Sequence, residues 1–403
     1  MSHASMNDQS FLELPKAVQD DLAVVGGKTP EYRSASVVAT ILAARELVQA
    51  AGITRIADIT GLDVIDVPVV SVVRPNARSL SIASGKGTTL ADAYASGIME
   101  ALEMFHGETF SDAVTVEDLG RDYLRPTWSG LPTEASPSVS PWEPSLRVSI
   151  AMELNSGEPA IVPYDLVHLD LRPAGPAGPA RFQVGSNGLA GGNCFEEAAL
   201  HGLCELIERD AVHQMSADGA KDPVGGRSSI DWDTVDDDVA KAIYEKCRTC
   251  GIEAYAFDIT SHVGVPTYYC RLVDSEGRRS GIPIATDGSG CHLMPALALR
   301  RSLTEAIQTR MLLISGARDD IRSRYYQGSA SSTAPDSRVP FNSARPGGDL
   351  RTGTTEGLSW LTRRLFDCGH RQVMVVDLRC RSAALSFVRV IVPGLKYEPR
   401  HEL

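Results

Sequence analysis

One pattern occurs three times in this 403-residue chain and restricts its fold more than any other feature. The first copy is Ser84-Gly-Lys-Gly-Thr-Thr-Leu-Ala-Asp-Ala-Tyr-Ala-Ser-Gly-Ile-Met-Glu100-Ala-Leu-Glu103. The second is Leu189-Ala-Gly-Gly-Asn-Cys-Phe-Glu-Glu-Ala-Ala-Leu-His-Gly-Leu-Cys-Glu205-Leu-Ile-Glu208. The third runs from Gly288-Ser-Gly to Glu305-Ala-Ile-Gln308. Successive copies are offset by 105 and then 100 residues. Each reads as a glycine-rich turn followed by a helix carrying Glu-x-x-Glu or Glu-x-x-Gln. Ala93, Ala198 and Ala298 fall in register, as do Glu100, Glu205 and Glu305. Such a spacing is too long for a solenoid. It predicts one supersecondary unit used three times around a shared centre, in a chain of α/β (α+β) class.

Positions i and i+3 share a helix face. In the second helix Leu203, Leu206 and Ile207 form the apolar stripe, and Glu205 and Glu208 point away from it. The third opposes Leu303, Ile307 and Ile314 to Glu305 and Gln308, and the first opposes Tyr94, Ile98, Leu102 and Phe105 to Glu100 and Glu103. Taken singly, each pair is what a solvated helix face looks like. Taken three times, the pattern also fits five carboxylates converging on hard cations, because uncompensated they would repel one another. Mg²⁺ suits that donor set, binding through a few carboxylates plus phosphate oxygens. Zinc would call for His or Cys ligands; no H-E-x-x-H is present, and His201 with Glu205 is a single weak pair. Glycine-rich turns ahead of helix starts predict anion sites, where Lys86 would add a point charge. Neither a Walker A sequence nor G-x-G-x-x-G is present. The lack of G-x-S-x-G argues against an α/β-hydrolase.

The remaining chain punctuates these copies. Residues 34–50 carry a helical period with Ser34 or Ser36 as N-cap, and 63–73 read as a strand with Pro68 at an edge or bulge. Residues 372–379 and 385–393 read as two late strands. Loops are expected over 126–145, 171–180 and 324–356, and a loose polar tail over 1–20, leaving 21–403 as one domain. With 39 basic against 51 acidic residues the net charge is −12, which disfavours a general nucleic-acid-binding surface. The start of the chain shows no secretion signal, and no apolar run reaches membrane-spanning length, so a cytoplasmic protein is expected. Eight cysteines, Cys247 and Cys250 among them, then read as reduced thiols.

The repeated segments resemble the YcaO family. SGKGTTLADAYASGIMEALEMFHGE is similar to its first nucleotide motif, SNGLAGGNCFEEAALHGLCELIERDAV to its second and GSGCHLMPALALRRSLTEAIQTRMLLISGARDD to its third. The resemblance covers about residues 25 to 395. GGKTPEYRS followed by GITRIADITGLDVIDVPVVSVVRPNARS looks most like the TfuA-associated branch. It implies a YcaO-type fold around a central site for ATP and two Mg²⁺ ions, in a homodimer. The implied chemistry is activation of a peptide backbone amide by O-phosphorylation. A neighbouring side chain then yields an azoline, a sulfide source a thioamide, an amine an amidine. The branch implies thioamidation, with a TfuA-type partner delivering sulfur to a peptide or protein substrate; a non-catalytic nucleotide-binding accessory is the alternative. The resemblance assigns Glu100, Glu103, Glu205 and Glu208 to metal, and Glu205, Glu208 and Arg209 to catalysis. Lys28, Asn193, Glu197, Arg209, Glu305, Gln308 and Arg310 become nucleotide or phosphate contacts, with Arg318 in the third motif's tail. Met104 departs from the family, which often has Arg there, and the single proline of the C-terminal segment departs from azoline-forming members.

Overall fold

The computed structural model describes residues 14–25, 29, 32–119, 122–133, 142–172, 182–217, 222, 224–274, 285–318, 326, 334–335, 337–344, 353–380, 382 and 384–397. Lys28 lies outside them, as do most of the expected 171–180 loop and much of 324–356.

Two copies of the repeat are built as a helix, a three-stranded antiparallel meander and a second helix. The first has α2 (Val37–Val48), β1 (Arg55–Asp58), β2 (Val69–Val73), β3 (Ile82–Lys86) and α3 (Leu90–Thr109). The other has α5 (Asp238–Thr249), β9 (Glu253–Asp258), β10 (Thr267–Val273), β11 (Ala285–Cys291) and α6 (Pro295–Ser315). The middle copy is assembled from two distant stretches. β7 (Leu189–Gly192) and α4 (Phe195–Ala217) come from mid-chain, whereas α7 (Thr354–Asp367), β13 (Met374–Asp377) and β14 (Ser386–Ile391) come from the C-terminal part. β14 pairs antiparallel with both β13 and β7, and α7 packs on α4 as α2 packs on α3 and α5 on α6. This sheet is extended by β5 (Arg147–Glu153), β4 (Val114–Thr115) and β6 (Pro159–Pro163). Three apolar clusters link the units: one runs from Ile41, Val72 and Ile98 to Val148, Ile161 and Phe387 of the extended sheet, one holds Leu203, Leu361 and Val388, and one holds Ile243, Leu272 and Leu303 with Val69 of β2.

Gly85, Gly191, Gly192, Gly288 and Gly290 are strand residues, where a turn was expected; Gly87 alone follows its strand. They let each helix lie directly on its strand. A Cβ on Gly85 would sit 1.9 Å from the Ala93 carbonyl oxygen, and one on Gly290 would sit 2.4 Å from that of Ala298. Gly192 approaches the Ala198 nitrogen in the same manner. At two of the helix starts, α3 and α6, backbone donors are met from within the chain or missing. Thr89 and Asp92 form a capping box on α3, and Asp21 accepts hydrogen bonds from the Leu90 and Ala91 N–H groups. Pro295 opens α6 with no N–H to offer, and the Nδ1 of His292 accepts from the Met294 N–H.

Four further expectations change. Residues 16–20 of the expected loose tail are helical, within α1 (Lys16–Val25), which also carries Asp21. β2 starts only after Pro68, and it is the central strand of its meander, not an edge. The expected 126–145 loop contains a 3₁₀ turn, Trp128–Gly130. Within 324–356, β12 (Arg338–Pro340) pairs in parallel with β8 (Ser229–Asp231), and α7 starts at Thr354. The helix expected over 34–50 is α2, with Ser36 accepting from the Ala39 N–H. The late strands fall where expected. All eight cysteines are free thiols, with Cys247 pushed up to about 12 by burial. No helix among the described residues is long and apolar enough to cross a membrane.

Candidate active site

The three repeat helices turn their polar rows inward around one cavity of about 940 Å³. α3 contributes Glu100, Glu103 and Met104; α4 contributes Glu197, Glu205, Glu208 and Arg209; α6 contributes Glu305 and Gln308. Lys86 and Asn193 border the same space. These rows are therefore not solvated faces: Glu208 is 2% exposed and Glu197 3%.

The units are joined in a ring by the second residue of each Glu-x-x-Glu or Glu-x-x-Gln pair. Glu103 of α3 accepts the Gly191 N–H of β7 (2.7 Å). Glu208 of α4 accepts the Cys291 N–H of β11 (3.0 Å) and the Ser289 hydroxyl (2.8 Å). Gln308 of α6 returns to the first unit, donating from Nε2 to the Ser84 carbonyl of β3 (2.8 Å). Lys86 donates to Glu305 and Gln308, both at 2.9 Å. Arg209 lies 3.3 Å from Glu208 and 3.9 Å from Glu205, and Glu205 also accepts the Gly188 N–H.

At the cavity wall, Glu197 accepts from Arg33, from the Ser34 N–H and hydroxyl, and from Asn193. Thr40 in turn donates to Asn193. Burial alone would raise the Glu197 carboxyl, but the Arg33 charge and these hydrogen bonds hold it below the ordinary carboxylate range. His201 does not pair with Glu205 as a metal ligand. Its Nε2 accepts from Arg301 (3.1 Å), and burial followed by the Arg301 charge pushes the imidazole well below its ordinary range. Sequence reasoning did not single out Arg33, Ser34, Ser84, Ser289 or Arg301. Ser84, Ser289 and Arg301 carried a signal, since all three sit inside the repeated motifs, and Ser34 was noted only as a possible N-cap.

Arg310 is not brought to the cavity. Its guanidinium is buried between Asp63 (2.9 Å) and Asp274 (3.2 Å), tying α6 to the first meander's loop and to the strand end after β10. Arg310→Met would leave two buried carboxylates without their cation, with an expected loss of about 3–5 kcal/mol of stability. Thermal unfolding would report that loss.

The donor set suits hard cations and an anionic ligand. Among the described residues no three His, Cys, Asp or Glu side chains are gathered tightly enough to hold an ion by themselves. The fit therefore lies in charge and donor type. Burial, then the like charges of Glu100 and Glu205, push the Glu103 carboxyl well above the ordinary range, against the Gly191 N–H and Arg33. A bound cation would relieve that repulsion. The buried Nε of Arg209 has no hydrogen-bond partner, which suits a phosphate oxygen.

A ring of three helix-on-meander units around a polar cavity rich in carboxylates defines a site for a metal-assisted anionic ligand. Residues 84–396 match the YcaO cyclodehydratase family, described as ATP- and Mg²⁺-binding, and the chain belongs to that family. An uncharacterized protein in the tfuA 3′ region of Rhizobium leguminosarum bv. trifolii is 32% identical over 393 residues, covering 91% of this chain and 89% of that one. Two solved structures share the fold. The YcaO protein from Methanopyrus kandleri, bound with AMPPCP and Mg²⁺, superposes with a TM-score of 0.66 at 19% identity, covering 90% of this chain and 92% of its own. A heterocyclase in complex with substrate and cofactor gives 0.73 at 20% identity over 94% of this chain; the match spans 56% of that longer protein.

Proposed function

We propose that the cavity binds ATP with Mg²⁺ and that the protein activates a peptide backbone amide by O-phosphorylation, installing a thioamide. The observation that carries this reading is the convergence of Glu100, Glu103, Glu205, Glu208 and Glu305 on one cavity with Arg209. Glu100, Glu103, Glu205 and Glu208 would hold the ions, and Asn193, Glu197 and Lys86 would contact the nucleotide. Bound ATP supplies the phosphoryl group that turns the amide oxygen into a leaving group. The protein's own part is positioning and charge, which phosphoryl transfer demands more than covalent chemistry. Arg209, held by Glu208, meets the anionic oxygens, and the strand-backed helices keep the carboxylates fixed. Similarity to a protein of a tfuA region supports thioamidation over azoline or amidine formation, with a TfuA-type partner for sulfur delivery.

Calorimetric titration of ATP with and without Mg²⁺ tests the binding step. Wild type should bind only with Mg²⁺, and Glu205→Ala should lose at least about 100-fold in affinity. No binding by folded wild type, with the partner protein also present, would sink the reading.

A further inference from the structure

The three junctions of the ring differ in one respect. The first carries two carboxylates, Glu100 and Glu103; the second carries Glu205 and Glu208. The third has one carboxylate, Glu305, and the amide of Gln308. At that junction alone, the strand position matching Gly191 and Cys291 holds a cationic side chain, Lys86. Its ammonium is 2.9 Å from both Glu305 and Gln308, and the Gln308 amide is oriented by its bond to the Ser84 carbonyl. The Glu100/Glu103 pair carries two negative charges and the Glu205/Glu208 pair keeps one beside Arg209, and a divalent ion can offset either; the single Glu305 is balanced by one ammonium. Gln308 fits this second arrangement, because a neutral amide oxygen accepts from lysine without adding charge. Ser84 matches Ser289 in the repeat. The Ser289 hydroxyl donates to Glu208, whereas the Ser84 hydroxyl, in a residue 2% exposed at the cavity wall, has no partner.

Building on the ATP reading, we propose that Lys86 is a resident cation at the third of three equivalent cation positions. The cavity then takes two divalent ions, and Lys86 with the Ser84 hydroxyl serves a polyphosphate oxygen of the ligand. An ammonium has three donors; Glu305 and Gln308 use two, which leaves one for that oxygen.

Counting bound Mn²⁺ in the presence of AMPPCP tests this directly. Wild type should hold two ions per chain, and K86M/Q308E, which restores a carboxylate pair and removes the ammonium, should hold three. Three ions on wild type, or two on the double variant, would overturn the proposal. Single variants give an independent measurement. K86R should keep AMPPCP affinity within about threefold, while K86M should lose at least about tenfold; equal affinity for K86M and wild type would count against the lysine. Wild type that binds neither Mn²⁺ nor AMPPCP refutes the ATP reading together with this one. Normal wild-type binding with the wrong ion count refutes this one alone.

Discussion

Glu208→Ala should abolish Mg²⁺-dependent ATP binding and also cost about 3 kcal/mol of stability. Both effects come from one buried carboxylate. Glu208 joins the second unit to the third by accepting from the Cys291 N–H and the Ser289 hydroxyl, and it neutralises Arg209. Truncation leaves the buried Cys291 N–H without its acceptor, the Ser289 hydroxyl with only the longer contact to Glu305 (3.4 Å), and a guanidinium without its nearest counter-charge. Glu205→Ala provides the contrast. Its side chain is 20% exposed and stands 3.9 Å from Arg209, so binding should fall with little loss of stability. Calorimetry and denaturant unfolding on the two variants would separate these roles. Equal stability of both would argue against Glu208 as a joint between units.

Gly85→Ala should be nearly as damaging without touching a charged group, at about 3 kcal/mol or more. The added Cβ would fall 1.9 Å from the Ala93 carbonyl oxygen and 2.3 Å from the Gly97 nitrogen. Both are backbone atoms of α3, so no side-chain rotation relieves the clash. The helix must lift off β3, and Glu100 and Glu103 move with it. Gly61→Ala is the control, since nothing lies within 4 Å of its Cβ position. Thermal unfolding of the pair would show whether strand-on-helix contact is the reason for the glycine.

Much of the site was legible because helical periodicity places i and i+3 on one face whatever the surroundings. Glu100, Glu103, Glu205, Glu208 and Glu305 all line the cavity that their recurrence suggested. Burial was not legible. A Glu pair opposite an apolar stripe has the same sequence whether it meets water or another unit, and only packing against β7 and β11 distinguishes the cases. Arg310 misled for a related reason: it lies in the same motif, yet its row of α6 faces Asp63 and Asp274, remote in sequence. The glycines were recognised as special, but their purpose depended on neighbours. In isolation a Gly-rich run suggests a turn, whereas here extended backbone needs room for a helix.

The sequence by itself determined three amphipathic helices, the glycine-bearing segments ahead of them and the carboxylates they carry, because these follow from local period and composition. Tertiary structure decided that the middle unit is completed by α7, β13 and β14 from the far end of the chain. It also decided that the helices close into a ring, with Gln308 returning to Ser84 and Lys86. Hydrogen bonds between residues more than two hundred positions apart leave no period to read, so closure exists only in the packed molecule.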